Sequence, residues 1–422
     1  MKNVLVITYY WPPSGGAGVQ RVLKFCKYLP MYGWNPIVLT ADDGDFPSID
    51  RSLIADTKNI HIEKAIGFSF LKFFKKITGI KQIPSHQLSA NKSETTFMSI
   101  SRWVRYNLII PDGRVGWYFA SYKKAIKIIN EKKIDLIFSS SPPHSVHLIG
   151  KKLSKIFKIP WVSDFRDPWT DRFYYQENPR NRLISYLDLF LEKSVLKNSN
   201  YVTSASPGFL ELLTKNQSLT GKSSVILNGY DPEDFINISD FPKNNESIRI
   251  GHIGSLSKSQ NPIGLLKSIK IFNDGNLSEK IFFKCIGSIH PDIIFDANKK
   301  NLENYFEIGS YLDHDKAIQE MKSYNYLVLV VPETEKNEGI IPAKVFEYIA
   351  SGIDIICLGN LKSDVSNLLQ ELGYNKFYRI EEIIDFSMLV PNFTRDREKI
   401  LKYSRKIQSE ELSTIFNQII KL

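Results

Sequence analysis

A chain of 422 residues and 48.5 kDa, 43% hydrophobic and 24% charged, is too long for one compact core and suits two domains of roughly 200 residues. That composition excludes wholesale disorder, and no run approaches the roughly 18 apolar residues of a membrane-spanning helix. The net charge of +10 is uneven, with 30 Lys+Arg against 16 Asp+Glu in residues 1–200 and 25 against 29 in the remainder. A basic front half is expected to meet an anionic partner, nucleic acid or an anionic membrane surface, although scattered lysines also serve solubility.

The opening Met1-Lys2-Asn3 and Val4-Leu5-Val6-Ile7 are too short an apolar stretch for a signal peptide. Residues 3–8 read instead as a buried parallel strand, followed by the loop Tyr9-Tyr-Trp-Pro-Pro-Ser-Gly-Gly-Ala-Gly18. A helix is expected over Val19 to Tyr32, distorted or ended by Pro30 and punctuated by Gly33, and then a strand over 35–40. Strand, glycine loop, helix and strand make a βαβ unit. Next comes Ile66-Gly-Phe-Ser-Phe-Leu-Lys-Phe-Phe-Lys-Lys-Ile77, which places Phe70, Phe73, Phe74 and Ile77 on one helical side. Such a basic, Phe-rich helix suits a membrane interface or, equally, a cap on the first sheet.

Further strands are expected at 135–139, 161–163, 201–203 and 225–227, with helices such as 117–131 and 145–157 between most of them. A second set begins at 249–253 and continues at 281–286, 326–331 and 353–358. This alternation predicts an α/β protein of two Rossmann-like, doubly wound domains, residues 1–236 and 248–395, split at the polar stretch 237–247. The segment 396–422 is helical in pattern and is expected to pack back on the first domain. Cys26, Cys285 and Cys357 are widely spaced and near no metal-ligand partner, so they read as reduced core thiols of a cytoplasmic protein.

Ligands of open parallel sheets bind at the carboxyl ends of strands, so the residues just after each strand are the candidates. Gly15 and Gly16 let backbone amides approach an anion where a helix begins. Asp42 and Asp43 close the second strand where a ribose-binding acid of a dinucleotide site would lie, but Arg21 stands at the third glycine position of that fingerprint. His144 ends the stiff Ser139-Ser-Ser-Pro-Pro-His144 loop and can donate to a sugar hydroxyl, or be an ordinary loop histidine. Asp164-Phe-Arg-Asp-Pro-Trp169 offers Asp167 to a hydroxylated substrate, with an Asp–Arg pair at Arg166 as the structural alternative.

In the second half, Gly254 and Ser255 repeat the strand-to-glycine design, with Lys258 as a neutralising cation. After the 326–331 strand come Glu338, Ile340, Pro342, Lys344, Glu347 and Gly352. Pro342 suits a first helical turn and Gly352 a helix end. Lys344 and Glu347, three apart, share a face near the helix start, where a cation holds phosphate and a carboxylate takes both ribose hydroxyls. A plain surface ion pair is the alternative.

In this order these motifs resemble the family 4 glycosyltransferases, retaining enzymes of the GT-B fold, in the branch of bacterial surface-polysaccharide synthesis. The matching stretches are Tyr9-Tyr-Trp-Pro-Pro-Ser-Gly-Gly-Ala-Gly-Val-Gln-Arg21, Ser140-Ser-Pro-Pro-His144, Asp164-Phe-Arg-Asp-Pro-Trp169, Asn228-Gly-Tyr-Asp231 and Pro342-Ala-Lys-Val-Phe-Glu-Tyr348, spread over roughly residues 1–365. The resemblance implies a C-terminal domain that binds the nucleotide diphosphate sugar and an N-terminal domain that binds the acceptor, facing across a cleft.

Glu347 matches the second glutamate of the family's E-x7-E motif, at the ribose. His144 matches the histidine near the transferred sugar, and Gly15 and Gly16 the loop at the diphosphate. Eight residues rather than seven separate Glu338 from Glu347, so the first glutamate is shifted to Glu338 or missing. The basic residues expected after Gly254 are reduced to Lys258, for which Lys344 can substitute.

The expected reaction is metal-independent transfer with retention, from a UDP-sugar in preference to a GDP-sugar and with no cofactor. Its acceptor is expected to be a lipid-linked or oligosaccharide molecule at the inner face of the cell membrane. A nucleotide-sugar epimerase or hydrolase and a noncatalytic partner subunit are the rivals, with an NAD oxidoreductase behind them.

Overall fold

A computed structural model of the chain describes all residues except 43, 45, 47, 69–102, 104, 105, 108, 172–179, 237–246, 277–279, 311, 334–337, 390–395 and 422. The Phe/Lys segment read as an amphipathic helix lies, from residue 69 on, outside the described residues. The chain divides into two compact units, residues 1–227 with 405–422, and residues 228–404. The first division falls after Leu227, ahead of the polar stretch 237–247 where the sequence placed it.

The first unit is built on a parallel seven-stranded sheet ordered β3-β2-β1-β4-β5-β6-β7. Its strands are β1 (Lys2–Ile7), β2 (Trp34–Ala41), β3 (His61–Ala65), β4 (Leu136–Ser141), β5 (Trp161–Phe165), β6 (Tyr201–Ser204) and β7 (Ser223–Val225). Val4, Leu5, Val6 and Ile7 are wholly buried, because helices cover both faces of a parallel sheet and leave neither side of the strand to solvent. One face packs under the helices Tyr118–Glu131, Ser145–Phe157 and Arg182–Asn198 through Ala125, Ile149, Leu153 and Val195. On the other, the helix Arg405–Ile419 joins the helix Ala17–Tyr28 in one apolar cluster. There Phe416 meets Trp34 edge-on at 5.1 Å. Burying one such ring contributes about 2–3 kcal/mol, and Leu412, Ile415 and Ile419 join it in holding this distant segment in place.

The helix expected over Val19 to Tyr32 splits. An α-helix covers Ala17–Tyr28, and a 3-10 turn follows over Leu29–Tyr32. Pro30 has no N–H and its ring crowds the preceding turn, so the chain tightens there. Gly33, at φ 83°, closes it in the left-handed region.

The second unit carries a parallel six-stranded sheet ordered β10-β9-β8-β11-β12-β13. These strands are β8 (Ser247–Ile253), β9 (Lys280–Ile286), β10 (Phe306–Gly309), β11 (Tyr326–Val330), β12 (Asp354–Leu358) and β13 (Phe377–Tyr378). Short β3, β10 and β13 were not foreseen, since each has few apolar residues to mark it. Both sheets reverse their winding in the middle, at β1/β4 and at β8/β11. Such a reversal opens a crevice at the strands' carboxyl ends, which is where the glycine loops and their partner motifs emerge. Among the described residues no helix is long and apolar enough to cross a membrane.

Candidate functional site

In the first unit, the loop after β1 ends at Gly16, the N-cap of the helix Ala17–Tyr28. Gly16 is exposed, adopts φ 104°, and would have no atom within 4 Å of an added Cβ. The first helical turn holds no acid, so its amides and the positive end of the dipole suit an anion. Gly15 plays another part from the one expected. Its N–H donates to the Ser48 carbonyl at 3.0 Å, and Asp50 and Ser48 crowd its missing side chain. Gly18 makes room for Arg166: a Cβ there would lie 1.0 Å from Arg166 Nη1. The guanidinium thus lies against the helix's first turn, and its Nε donates to the Ser141 carbonyl at 2.9 Å.

Asp164 forms its ion pair with Arg21, while Arg166 lies in the fields of both Asp167 and Asp164. The Asp164 carboxylate accepts from Arg21 Nη2 at 2.8 Å and Nε at 3.1 Å, from Ser140 Oγ at 2.7 Å and from Thr203 Oγ1 at 2.8 Å. Burial alone would raise its pKa; the Arg21 charge and these donors outweigh burial and hold it below the usual carboxylate range. The pair ties the first helix to the ends of β4, β5 and β6, beneath the loops that carry the candidate residues.

His144 is the N-cap residue of the helix Ser145–Phe157 and is buried, not standing free at the strand's mouth. Its ring stacks on Trp169 at 5.0 Å and 13°. Asp112 supports the same corner, accepting from Ser145 N at 2.8 Å and Ser145 Oγ at 3.0 Å. Asp167 is half-buried next to Arg166. His147 bonds Ser139 Oγ at 2.8 Å inside the core, where burial pushes its pKa down to about 3.

In the second unit, β8 is followed by Gly254, which adopts φ 131°. The ammonium of Lys344 occupies the space over it, 2.5 Å from where a Cβ would stand. Lys344 begins the helix Lys344–Ser351; Pro342 precedes that helix instead of opening it, and Gly352 caps the end at φ 72°. Tyr348 Oη clamps the helix to β8 by accepting from the Ile253 N–H at 2.8 Å.

Lys344 Nζ lies 3.1 Å from His252 Nε2. His252 Nδ1 is 2.8 Å from the Val328 carbonyl, which can only accept, so Nδ1 carries the hydrogen and Nε2 receives one from the lysine. Burial, and then the Lys344 charge, keep His252 neutral. Burial also pushes Lys344 down to about 8, against the opposing pull of Cys285 and Glu347. One turn on, Glu347 Oε1 lies 4.0 Å from His314 Nδ1, and His314 Nε2 is 2.9 Å from Asp234 Oδ2.

The structure therefore gathers Gly254, Lys344 and Glu347 around one strand end, with exposed Ser255 beside Gly254. Lys258 is engaged otherwise. Its ammonium pairs with Asp292 at 2.8 Å, in a cavity of 390 Å³ also lined by Asn261, Phe295 and Asp296. Two acids against one cation suit a diphosphate poorly. Glu338 is exposed, its carbonyl accepting from Asp364 N at 2.8 Å, and Ile340 is half-buried.

Sequence reasoning missed His252, Asp112, His314 and Asp234. His252 stands two residues before Gly254, in the strand that leads to the glycine, and was the one that could have been found. Among the described residues no cluster of three or more His, Cys, Asp or Glu could hold a metal ion.

Residues 15–234 match the family described as Glycosyltransferase Family 4. No curated protein matches the chain. Solved structures do, along their full length. Sucrose-phosphate synthase from Thermosynechococcus elongatus is similar at TM-score 0.63 and 13% identity, covering 100% of both chains. A glycosyltransferase from Rickettsia africae is similar at 0.61 and 14%, covering 100% of this chain and 99% of its own. Anabaena HepE, solved in complex with UDP and glucose, is similar at 0.55 and 16%, again covering 100% and 99%. At these identities the likeness establishes the GT-B fold of two Rossmann-like domains.

Proposed function

The chain belongs to glycosyltransferase family 4, and on that footing we propose that it moves a sugar from a nucleotide diphosphate sugar to a lipid-linked or oligosaccharide acceptor, with retention of configuration. The observation that carries the donor half is the Lys344 ammonium lying over Gly254 at the end of β8, with Glu347 one turn along the same helix. A departing nucleoside diphosphate gathers about two negative charges, and the lysine with the helix's first-turn amides disperses them. Glu347, steadied by His314 and Asp234, accepts from the ribose hydroxyls. UDP is the favoured nucleotide, in line with HepE and its bound UDP. Gly254 and Ser255 give the diphosphate close access to backbone, while Lys258 joins only by leaving Asp292.

On the acceptor side, His144, oriented by Trp169, donates to a hydroxyl of the transferred sugar, and Asp167 assists the acceptor. Gly16 and the helix it caps offer a second anion contact, with Gly15 shaping the loop. Glu338 stands in for the family's first glutamate, next to Ile340. The donor phosphate itself takes the acceptor proton in a front-side attack, with no metal required. The product belongs to bacterial surface-polysaccharide synthesis, made in the cytoplasm against the inner face of the membrane, where the basic front half favours anionic lipid.

A thermal-shift screen of UDP, GDP, ADP, CMP and their sugars tests this. UDP and one UDP-sugar are expected to stabilise the protein. Glu347→Ala should weaken UDP about 10- to 100-fold, the worth of charge-assisted hydrogen bonds. Turnover should survive a chelator. No stabilisation by any nucleotide, or an unchanged affinity in Glu347→Ala, removes the donor assignment.

A further inference from the structure

The helix Arg182–Asn198 is amphipathic in an inverted sense. Its buried positions include both of its acids, Asp188 and Glu192, together with Val195 and Leu196. Its outward positions carry Leu183 at 76% exposure, Tyr186 at 72%, Leu187 at 42% and Phe190 at 58%. These four stand at i, i+3, i+4 and i+7, which is one stripe along a helix. The charged residues exposed on this helix, Arg182, Lys193 and Lys197, are all basic. Four large apolar side chains in one stripe are not the scattered exposure of an ordinary surface.

The acids are drawn inward by specific partners. Asp188 Oδ1 accepts from Trp169 Nε1 at 2.8 Å, and Arg180 pairs with its other oxygen. Glu192 lies against Thr170 and accepts from Asn216 Nδ2 at 3.1 Å. Burial raises the Glu192 pKa to about 7, so the face gains still less negative charge from beneath. With its acids used inside, the helix exposes no negative charge: beside Ser185 and Asn198, its exposed residues are aliphatic, aromatic or cationic.

We infer that the outer face of the helix Arg182–Asn198 is the surface by which this protein docks on an anionic lipid bilayer, the apolar stripe entering the interface and the flanking basic residues meeting headgroups. The charge decides the occupant. A second copy pairing through the same patch would set Arg182, Lys193 and Lys197 against themselves, with no exposed acid on the helix to compensate. An anionic bilayer accepts both parts of the face, since lysine stems lie along apolar surface while their heads reach phosphates. The +14 balance of residues 1–200, 30 basic against 16 acidic, adds attraction of the same sign.

The opposite side of this helix is tied through Asp188 to Trp169, two residues after Asp167 in the loop that follows β5. Docking here holds that loop about one helix diameter, roughly 10 Å, from the headgroup layer, where the sugar of a lipid-linked acceptor is found. The inference thus deepens the membrane part of the proposed function and is independent of the donor assignments.

Flotation of the full chain with vesicles of phosphatidylcholine containing 30% phosphatidylglycerol tests it, against phosphatidylcholine alone. Wild type is expected to float with the anionic vesicles at low salt and to be released by high salt. Leu183→Glu/Phe190→Glu should cut the bound fraction at least tenfold, and Lys193→Gln/Lys197→Gln about tenfold. All four side chains are exposed, so thermal melting should be unchanged and serves as the folding control. Failure of the wild type to float overturns the membrane reading as a whole. Equal flotation of wild type and both variants overturns only the assignment to this helix. A concentration-dependent dimer in sedimentation, abolished by the Leu183/Phe190 variant and without vesicle binding, assigns the face to a second copy and overturns the lipid.

Discussion

If Lys344 holds the diphosphate, UDP affinity must follow the lysine's own titration. Its pKa is pushed down from 10.5 to about 8, first by burial, while Glu347 on its own helix and Cys285 on β9 pull upward. His252 on β8 receives its hydrogen bond and stays neutral across the working range, so it adds no charge change of its own there. With that pKa the protonated fraction falls from roughly 90% at pH 7 to roughly 10% at pH 9. A bound diphosphate holds the lysine charged, so only the free protein deprotonates in this window. Apparent affinity for UDP should therefore fall about tenfold between pH 7 and pH 9, linearly in log units above pH 8.

Calorimetric titration with UDP at half-unit pH steps reads this directly. Lys344→Met should bind more weakly at pH 7 than the wild type does even at pH 9, with a flat profile. His252→Leu, which removes the acceptor of the lysine's hydrogen bond, should loosen its hold over Gly254 and weaken UDP at every pH. A wild-type profile flat between pH 7 and 9, or a Lys344→Met profile with the wild-type slope, refutes the reasoning.

Gly18→Ala and Asp164→Ala probe the first unit. Gly18 has no positive φ that demands glycine, so helix propensity alone predicts that Ala stabilises by about 1 kcal/mol. The Cβ would instead overlap Arg166 and break its bond to the Ser141 carbonyl, so a net loss of about 1–2 kcal/mol and a melting point lower by about 2–8 °C are expected. A raised melting point would show that Arg166 is free to move. Asp164→Ala strips the carboxylate from buried Arg21 and should cost about 3–5 kcal/mol in denaturant unfolding; a loss below about 1 kcal/mol would contradict the role given to that pair.

The backbone plan was legible because its signals are local. Val4 to Ile7 is a continuous apolar run, and only a strand covered on both faces needs one. The helix Ser145–Phe157 spans the residues its periodicity indicated. Once the strands are placed, the winding reversals at β1/β4 and β8/β11 bring the glycine loops beside the second motif of each unit. The order of motifs along the chain thus foretold which of them meet within a unit.

Side-chain pairing was not legible, because it is decided across distances that no local pattern encodes. Arg21 and Asp164 are 143 residues apart, Lys344 and His252 are 92 apart, and Ser145 and Asp112 are 33 apart. In the first motif Arg21 looked like a flaw in a dinucleotide fingerprint. Its buried partner shows that it anchors a helix.

Gly18 resembles an anion-loop glycine in sequence, yet its space belongs to Arg166. The helix Arg182–Asn198 makes the same point from the opposite side. Its apolar period by itself points Leu183, Tyr186, Leu187 and Phe190 inward, but Trp169 and Thr170 hold Asp188 and Glu192 on the protein side and turn the stripe to solvent. Burying two acids costs free energy unless their partners compensate. A fold that meets that cost while exposing four large apolar groups is explained when something apolar and anionic covers them.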